Sequence, residues 1–339
     1  MADVRMAVVG ATGAVGQEML KVLEERKFPI KSLLCLADPR EAGNKVKYAG
    51  QDITVEGAAP EKFAGVDIAL FAVDAKISEM LAPEAAKRKA VVIDNSSAFR
   101  MTDDVPLVVP EVNMDDTAQH KGIIANPNCS TIIMVVAINP IYQAVGLKRV
   151  VVSTYQAVSG AGMPAIMELE DQVRKHMNKE EIIPGVFQHQ IAFNLIPHID
   201  VWVEKGYSKE EMKMVWETRK IMHIVDLPVS PTAVRVPVFR SHSESINLET
   251  VKPITPGEVT ELLKKAPGVV VMDDLPSNTY PMPLFTSDRD EVFVGRIRED
   301  ISLPEGRGLN LWVVGDQIRK GAATNAIQIA EVVVERNLY

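Results

Sequence analysis

The opening of the chain constrains its fold most. A short apolar run, Arg5 to Val9, stops at Gly10, and Gln17 to Arg26 follows with apolar residues at helical spacing. Strand, glycine-rich turn and helix in that order begin a parallel sheet, whose strands are buried on both faces and so read as continuous apolar runs. The pattern recurs at Ser32 to Ala37, Val66 to Val73, Ala90 to Asp94 and Lys121 to Ala125. This predicts a doubly wound α/β nucleotide-binding domain over residues 1–128. Beyond a helix starting at Cys129, longer strand candidates follow at Arg149 to Ala157, Thr232 to Phe239, Val269 to Met272, Glu291 to Ile297 and Asn310 to Val314. Few helices separate them, so residues 129–316 should form a second, α+β domain on a mixed sheet. An Ala/Ile/Val-rich helix, Lys320 to Arg336, returns to the first domain, which residues 317–339 complete.

Composition excludes several partners. With 339 residues, 47% of them hydrophobic, the chain can bury a sizeable core. A net charge of -8 without a basic run argues against nucleic acid. The two cysteines, Cys35 and Cys129, have no paired Cys or His spacing, so neither a disulfide framework nor a metal site is expected. No apolar run reaches membrane-spanning length and no signal-like segment precedes the first strand. A cytoplasmic protein is expected, with no membrane partner.

Gly10-Ala-Thr-Gly13-Ala-Val-Gly16 lies where a phosphate cradle should be, between the first strand and the first helix. Glycines there permit a tight turn and close backbone approach to a pyrophosphate at the helix N-terminus. The spacing is GxxGxxG where the usual dinucleotide fingerprint is GxGxxG. At the end of the second strand the signal is mixed. Asp38 would accept from ribose hydroxyls, as for NAD, whereas Arg40 would welcome the 2′-phosphate of NADP. A solvated charged loop is the plain alternative.

Cys129 follows Asn126-Pro-Asn128 at the mouth of an apolar helical stretch. A cysteine at a helix start faces unpaired N–H groups and the positive end of the macrodipole, which favours the thiolate. That reads as a nucleophile, against the alternative of a buried, inert thiol. Arg235 lies in a strand-like run, and His242 follows it in a setting suited to proton transfer. Ser208 and Glu211 are spaced as a capping box, and Glu210 and Lys213 share one helix face; by spacing alone that face is solvated.

Taken together these residues resemble the aspartate-β-semialdehyde dehydrogenase family along essentially the whole chain. The likeness rests on Gly10 to Gly16, Ser96 to Arg100, Asn126 to Thr131, Tyr155 to Gly162, Glu210 with Lys213, Arg235 with His242, and Gly321 to Asn325. It implies a Rossmann-type first domain and a catalytic, dimerising second one. It makes Cys129 the acyl-forming nucleophile, His242 the acid/base and Gln156 the group that orients the acyl intermediate. Arg235 would hold the substrate carboxylate and Glu210 its amino group, with Arg100, Lys213 and Asn128 on phosphate. Gly10, Thr12, Gly13, Ala14, Val15, Asp38, Arg40, Ser159, Gly160 and Asn325 would line the cofactor site, and no metal is implied. The implied reaction is reversible reduction of L-aspartyl-4-phosphate to the semialdehyde, in a homodimer or tetramer, feeding lysine (through diaminopimelate), threonine, methionine and isoleucine synthesis.

Two departures lie on the cofactor side. Where the family commonly has LASxRSAG, this chain has Leu36-Ala-Asp-Pro-Arg-Glu-Ala-Gly43, placing Asp38 and Glu41 at hydroxyl positions; Asp74 adds a third carboxylate nearby. The family likeness implies NADP, while the charges read as NAD or dual use. Alternatives are a related N-acetyl-γ-glutamyl-phosphate or malonyl-CoA reductase, or a nucleotide-binding relative without catalysis.

Overall fold

The protein, seen in a computed structural model, is described over residues 4–339. Its chain divides into two compact units, which exchange at Asn128/Cys129 and again at Lys320/Gly321. The second exchange comes later than residue 316 because the segment after the last strand stays with the second unit. There Asp316, fully buried, accepts from the backbone N–H of Ile318 and Arg319 and from Arg240.

The first unit carries strands β1 (Val4–Val9), β2 (Ile30–Ala37), β3 (Lys45–Tyr48), β4 (Gln51–Thr54), β5 (Glu56–Gly57), β6 (Ile68–Phe71), β7 (Val91–Asp94) and β8 (Ile123–Ala125). Its main sheet is parallel throughout, in the order β5-β2-β1-β6-β7-β8, with β3 and β4 forming a separate hairpin. Helices α1 (Ala14–Glu25), α2 (Ala75–Lys87) and the short α3 (Pro110–Asn113) connect the strands. Alternation along β1 explains the two-sided burial. Met6 and Val8 point into one cluster with Met19 and Leu23 of α1 and with Ile327, Ala330 and Val333 from the C-terminal helix, whereas Ala7 and Val9 join Leu81, Ala82 and Ala85 of α2 on the other face.

The second unit opens with α4 (Cys129–Val145) and continues through β9 (Leu147–Gln156), α5 (Met163–Asn178), α6 (Lys209–Ile221), β10 (Val229–Arg235), β11 (His242–Thr250), α7 (Pro256–Leu263), β12 (Val269–Val271), α8 (Pro283–Thr286), β13 (Val292–Glu299) and β14 (Gly308–Gly315). Helix α9 (Thr324–Glu335) then belongs to the first unit. The second sheet is mixed, in the order β10-β9-β11-β14-β13-β12. Helix α4 is buried along most of its length and packs on β9, β11, β13 and β14.

Strand β11, at the centre of the pairing, is the element that apolar patterning does not reveal. Its sequence, His242-Ser-Glu-Ser-Ile-Asn-Leu-Glu-Thr250, is largely polar, yet His242, Glu244, Ile246, Leu248 and Thr250 alternate onto the buried side. The strand expected to reach Phe239 ends instead at Arg235. Pro237 has no N–H for a ladder, and Val238 turns back to bond Val236.

Glu244 is the anomaly of this core. It is fully buried, faces Thr154 on β9 and Val313 on β14, and neither carboxyl oxygen has a hydrogen-bond partner; the Thr154 hydroxyl has none either. A buried polar group without a partner costs about 1–3 kcal/mol when neutral and far more when charged. Burial therefore pushes this carboxyl well above its ordinary range and keeps it protonated. The unfolded chain loses this proton above a pH of about 4.3, whereas the folded chain retains it, so the protein should lose stability as pH rises from that point toward the folded-state pKa. Glu244→Gln should flatten that slope and stabilise the protein more at pH 8 than at pH 4.5, as read by urea denaturation. An equal effect at both pH values would mean that Glu244 is ionised in the fold.

Candidate active site

The glycine-rich turn is built as its sequence implies. Gly10 has a φ of +85°, and a Cβ there would meet the Ala72 carbonyl oxygen at 2.3 Å. Gly13 is the N-cap of α1 and makes no side-chain cap bond to the first-turn N–H groups, the setting in which a helix start can take an anion. At the rim, the Thr12 hydroxyl donates to Glu41 Oε2 at 3.0 Å. Arg40 closes a two-pronged contact with Asp38, Nε to Oδ1 at 2.9 Å and Nη2 to Oδ2 at 2.8 Å. Asp74 caps α2 by accepting from Ile77 N–H.

Two more expected residues of the first unit, Arg100 and Asn325, bond to its backbone. Arg100 is buried and donates to the carbonyls of Asn126 and Asn95 at 3.0 and 2.7 Å. Asn325 is buried, and its amide donates to Val108 O and to Asn126 Oδ1. Asn126 in turn donates to Asn95 Oδ1 at 2.8 Å. These contacts fix the segment that leads through buried Asn128 to Cys129.

In the second unit the sequence candidates converge. Cys129 is the first residue of α4 and is half-buried. The amide of Gln156, at the end of β9, donates to the hydroxyl of neighbouring Ser130 and to Glu210 Oε1, the latter at 3.1 Å. Glu210 is buried, so the helix face expected to be solvated is an interior one. Its other oxygen accepts from Lys213 at 3.0 Å, and Lys213 also donates to Asp200 Oδ2 at 2.8 Å. Burial pushes the Lys213 ammonium down, but Glu210 and Asp200 outweigh it and hold the group above its ordinary value. The Ser208–Glu211 capping box forms as well, and Glu211 reaches on to Ala233 N–H.

Arg235 and His242 are joined through one residue. Arg235 Nη1 donates to the Ala157 carbonyl at 2.8 Å, and the Ala157 N–H donates to His242 Nδ1 at 3.1 Å. Because Nδ1 accepts, the neutral ring carries its proton on Nε2. Burial drives this imidazole down to about 3, and the charge of Arg235 adds to the effect while Glu210 opposes it. Burial also lowers Arg235, opposed by the charges of Glu210 and Cys129, which are close enough to act on it. His242 is therefore neutral at physiological pH and presents a hydrogen at Nε2; sequence alone left it able to accept a proton as well.

The turn holding Ser159 and Gly160 lies directly against this pair. A Cβ on Gly160 would meet Arg235 Nη1 at 2.8 Å and the His242 ring at 3.3 Å. Ser159 accepts from Gln317, whose Oε1 also takes the N–H of Ser241 at 2.8 Å. Ser241, at a φ of +69°, sets the entry to β11. Asp200, Asp316, Gln317 and the Ala157 backbone all support the site, and none carries a sequence signal.

Models of the semialdehyde dehydrogenase NAD binding domain and dimerisation domain match residues 5–120 and 138–320. The aspartate-semialdehyde dehydrogenase of Aquifex aeolicus (strain VF5) is 56% identical over 338 residues, covering 98% of this chain and 99% of the relative. The chain belongs to the aspartate-semialdehyde dehydrogenase family. Aspartate semialdehyde dehydrogenase II from Vibrio cholerae, solved complexed with ASA, superposes with a TM-score of 0.95 at 46% identity, covering 99% of each chain. The Candida albicans enzyme, solved with NADP, gives 0.79 at 26% identity over the whole of both chains.

The two thiols of this family member should differ sharply in reactivity. Burial pushes Cys35 up to about 11, while Cys129 sits at a helix start. Iodoacetamide at neutral pH should modify Cys129 in the folded protein and Cys35 only after denaturation, as read by peptide mass mapping. Modification of both at one rate would remove the special setting of Cys129.

Proposed function

We propose that this protein is a phosphorylating aspartate-semialdehyde dehydrogenase, interconverting L-aspartyl-4-phosphate and L-aspartate-4-semialdehyde through a thioester on Cys129. The observation that carries the reading is a buried carboxylate, Glu210, acting on the same small volume as the Arg235 guanidinium, His242 and Cys129. A free amino acid offers a carboxylate for a two-pronged grip by Arg235 and an ammonium for Glu210. An N-acetylated or malonyl substrate has no ammonium, which disfavours those reductases.

In the biosynthetic direction the Cys129 thiolate attacks the acyl phosphate, the C–O bond to phosphate breaks and a thioester remains. Lys213 supplies a contact to the phosphate. The nicotinamide dinucleotide, when bound at the glycine-rich turn, supplies the hydride. His242 then donates from Nε2 to the thiohemiacetal oxygen, where negative charge develops. Collapse re-forms the carbonyl and expels Cys129 as thiolate, so neither sulfur nor imidazole needs to take a proton. This makes His242 a neutral hydrogen-bond donor, and Gln156 orients the acyl group from its bond to Glu210.

The family dimerisation domain supports a homodimer. No described helix is long and apolar enough to cross a membrane, and the two cysteines are not joined as a disulfide, which fits a cytoplasmic enzyme.

Reduction of dinucleotide by L-aspartate-4-semialdehyde should require phosphate and vanish in Cys129→Ser; phosphate-independent reduction would point to another acyl substrate. Arg235→Lys should raise KM for the aldehyde at least about tenfold, because an ammonium cannot reproduce the fork. With His242 at about 3, kcat should show no histidine limb near a pH of about 6.5. His242→Gln, which keeps a donor, should retain more activity than His242→Ala. A limb there that disappears in His242→Gln would show the ring titrating in the reaction.

A further inference from the structure

We propose that Glu41 makes the nucleotide site discriminate against the 2′-phosphate, so that this chain binds NAD at least as tightly as NADP. The inference rests on the dinucleotide-binding reading above and concerns only the ribose end of that site. After β2 ends at Ala37, Asp38 begins a short turn and accepts from Arg40 N–H at 2.9 Å. The Arg40 guanidinium folds back onto the same carboxylate through Nε and Nη2. Its fork, the geometry that would grip a phosphate, is already filled by a carboxylate.

Glu41 then reaches across to the glycine-rich turn, where its Oε2 takes the Thr12 hydroxyl hydrogen at 3.0 Å. The Thr12 hydroxyl, which could otherwise donate to a phosphate oxygen, is thereby turned to a carboxylate. Asp38 and Arg40 cancel, and Glu41 leaves one net negative charge on this segment. A phosphate monoester carries about −1.5 to −2 at neutral pH and meets repulsion and occupied donors. A ribose hydroxyl is itself a donor and finds carboxylate acceptors in Asp38 and Glu41. Small hydroxyl side chains at positions 38 and 41 would reverse both terms, because they donate to phosphate and carry no charge.

Direct binding separates this from turnover. NAD and NADP would each be titrated calorimetrically into the full-length wild type, E41S and the isosteric E41Q, with thermal melting as the check on folding. The expected result is a wild-type Kd for NAD no weaker than that for NADP. E41S and E41Q should each tighten NADP by about tenfold and should not tighten NAD. A wild type that prefers NADP tenfold, with Arg40 released from Asp38 to the phosphate, would overturn the proposal. An unchanged NAD/NADP ratio in both variants would also overturn it, by showing that Glu41 does not face the ribose. Binding of neither dinucleotide to folded wild type would instead overturn the reading of the glycine-rich turn itself.

Discussion

Ala157 has no chemistry of its own, yet the second unit depends on its peptide groups. Its carbonyl holds Arg235 and its N–H holds His242 Nδ1, so the guanidinium and the imidazole are spaced by one residue of main chain. The parallel pairing of β9 with β10 sets Gln156 opposite Arg235, and the antiparallel pairing of β9 with β11 brings the start of β11 alongside. A buried guanidinium and a buried imidazole would otherwise repel and desolvate one another. The imidazole responds by staying neutral, and Glu210 supplies the compensating charge.

The same economy of charge runs outward along α6. A buried carboxylate is costly unless paired and hydrogen-bonded. Glu210 has both kinds of partner, with Gln156 on one oxygen and Lys213 on the other, and Asp200 completes the set on Lys213. On the proposed reading, a substrate ammonium at Glu210 would add to an existing network and need not create one. Lys213 is correspondingly preset between two carboxylates, Glu210 and Asp200.

The alternating strands and helices of the first unit were legible because parallel strands carry an apolar signal on both faces. Cys129, Arg235, His242 and Glu210 were legible as chemistry in recognisable motifs. Their convergence was not, because β11 hides behind polar residues: His242 and Glu244 occupy positions where patterning expects aliphatic side chains. Asp200 and Asp316 were invisible for another reason. Each is an isolated acid whose role depends on partners elsewhere in the fold, Lys213 for the first and Arg240 for the second. Spacing also misjudged the Glu210–Lys213 face, since periodicity places two residues on one side of a helix without saying what covers that side.

Glu244 gives the second unit an internal spectroscopic reporter. A protonated carboxyl has a carbonyl stretch separated from those of ionised carboxylates. The frequency of that band depends on hydrogen bonding, and Glu244 sits without a partner under α4 beside an equally unpartnered Thr154. Water entering the core beneath α4 would thus be visible as a band shift in the unlabelled protein, two residues along the strand from the His242 imidazole.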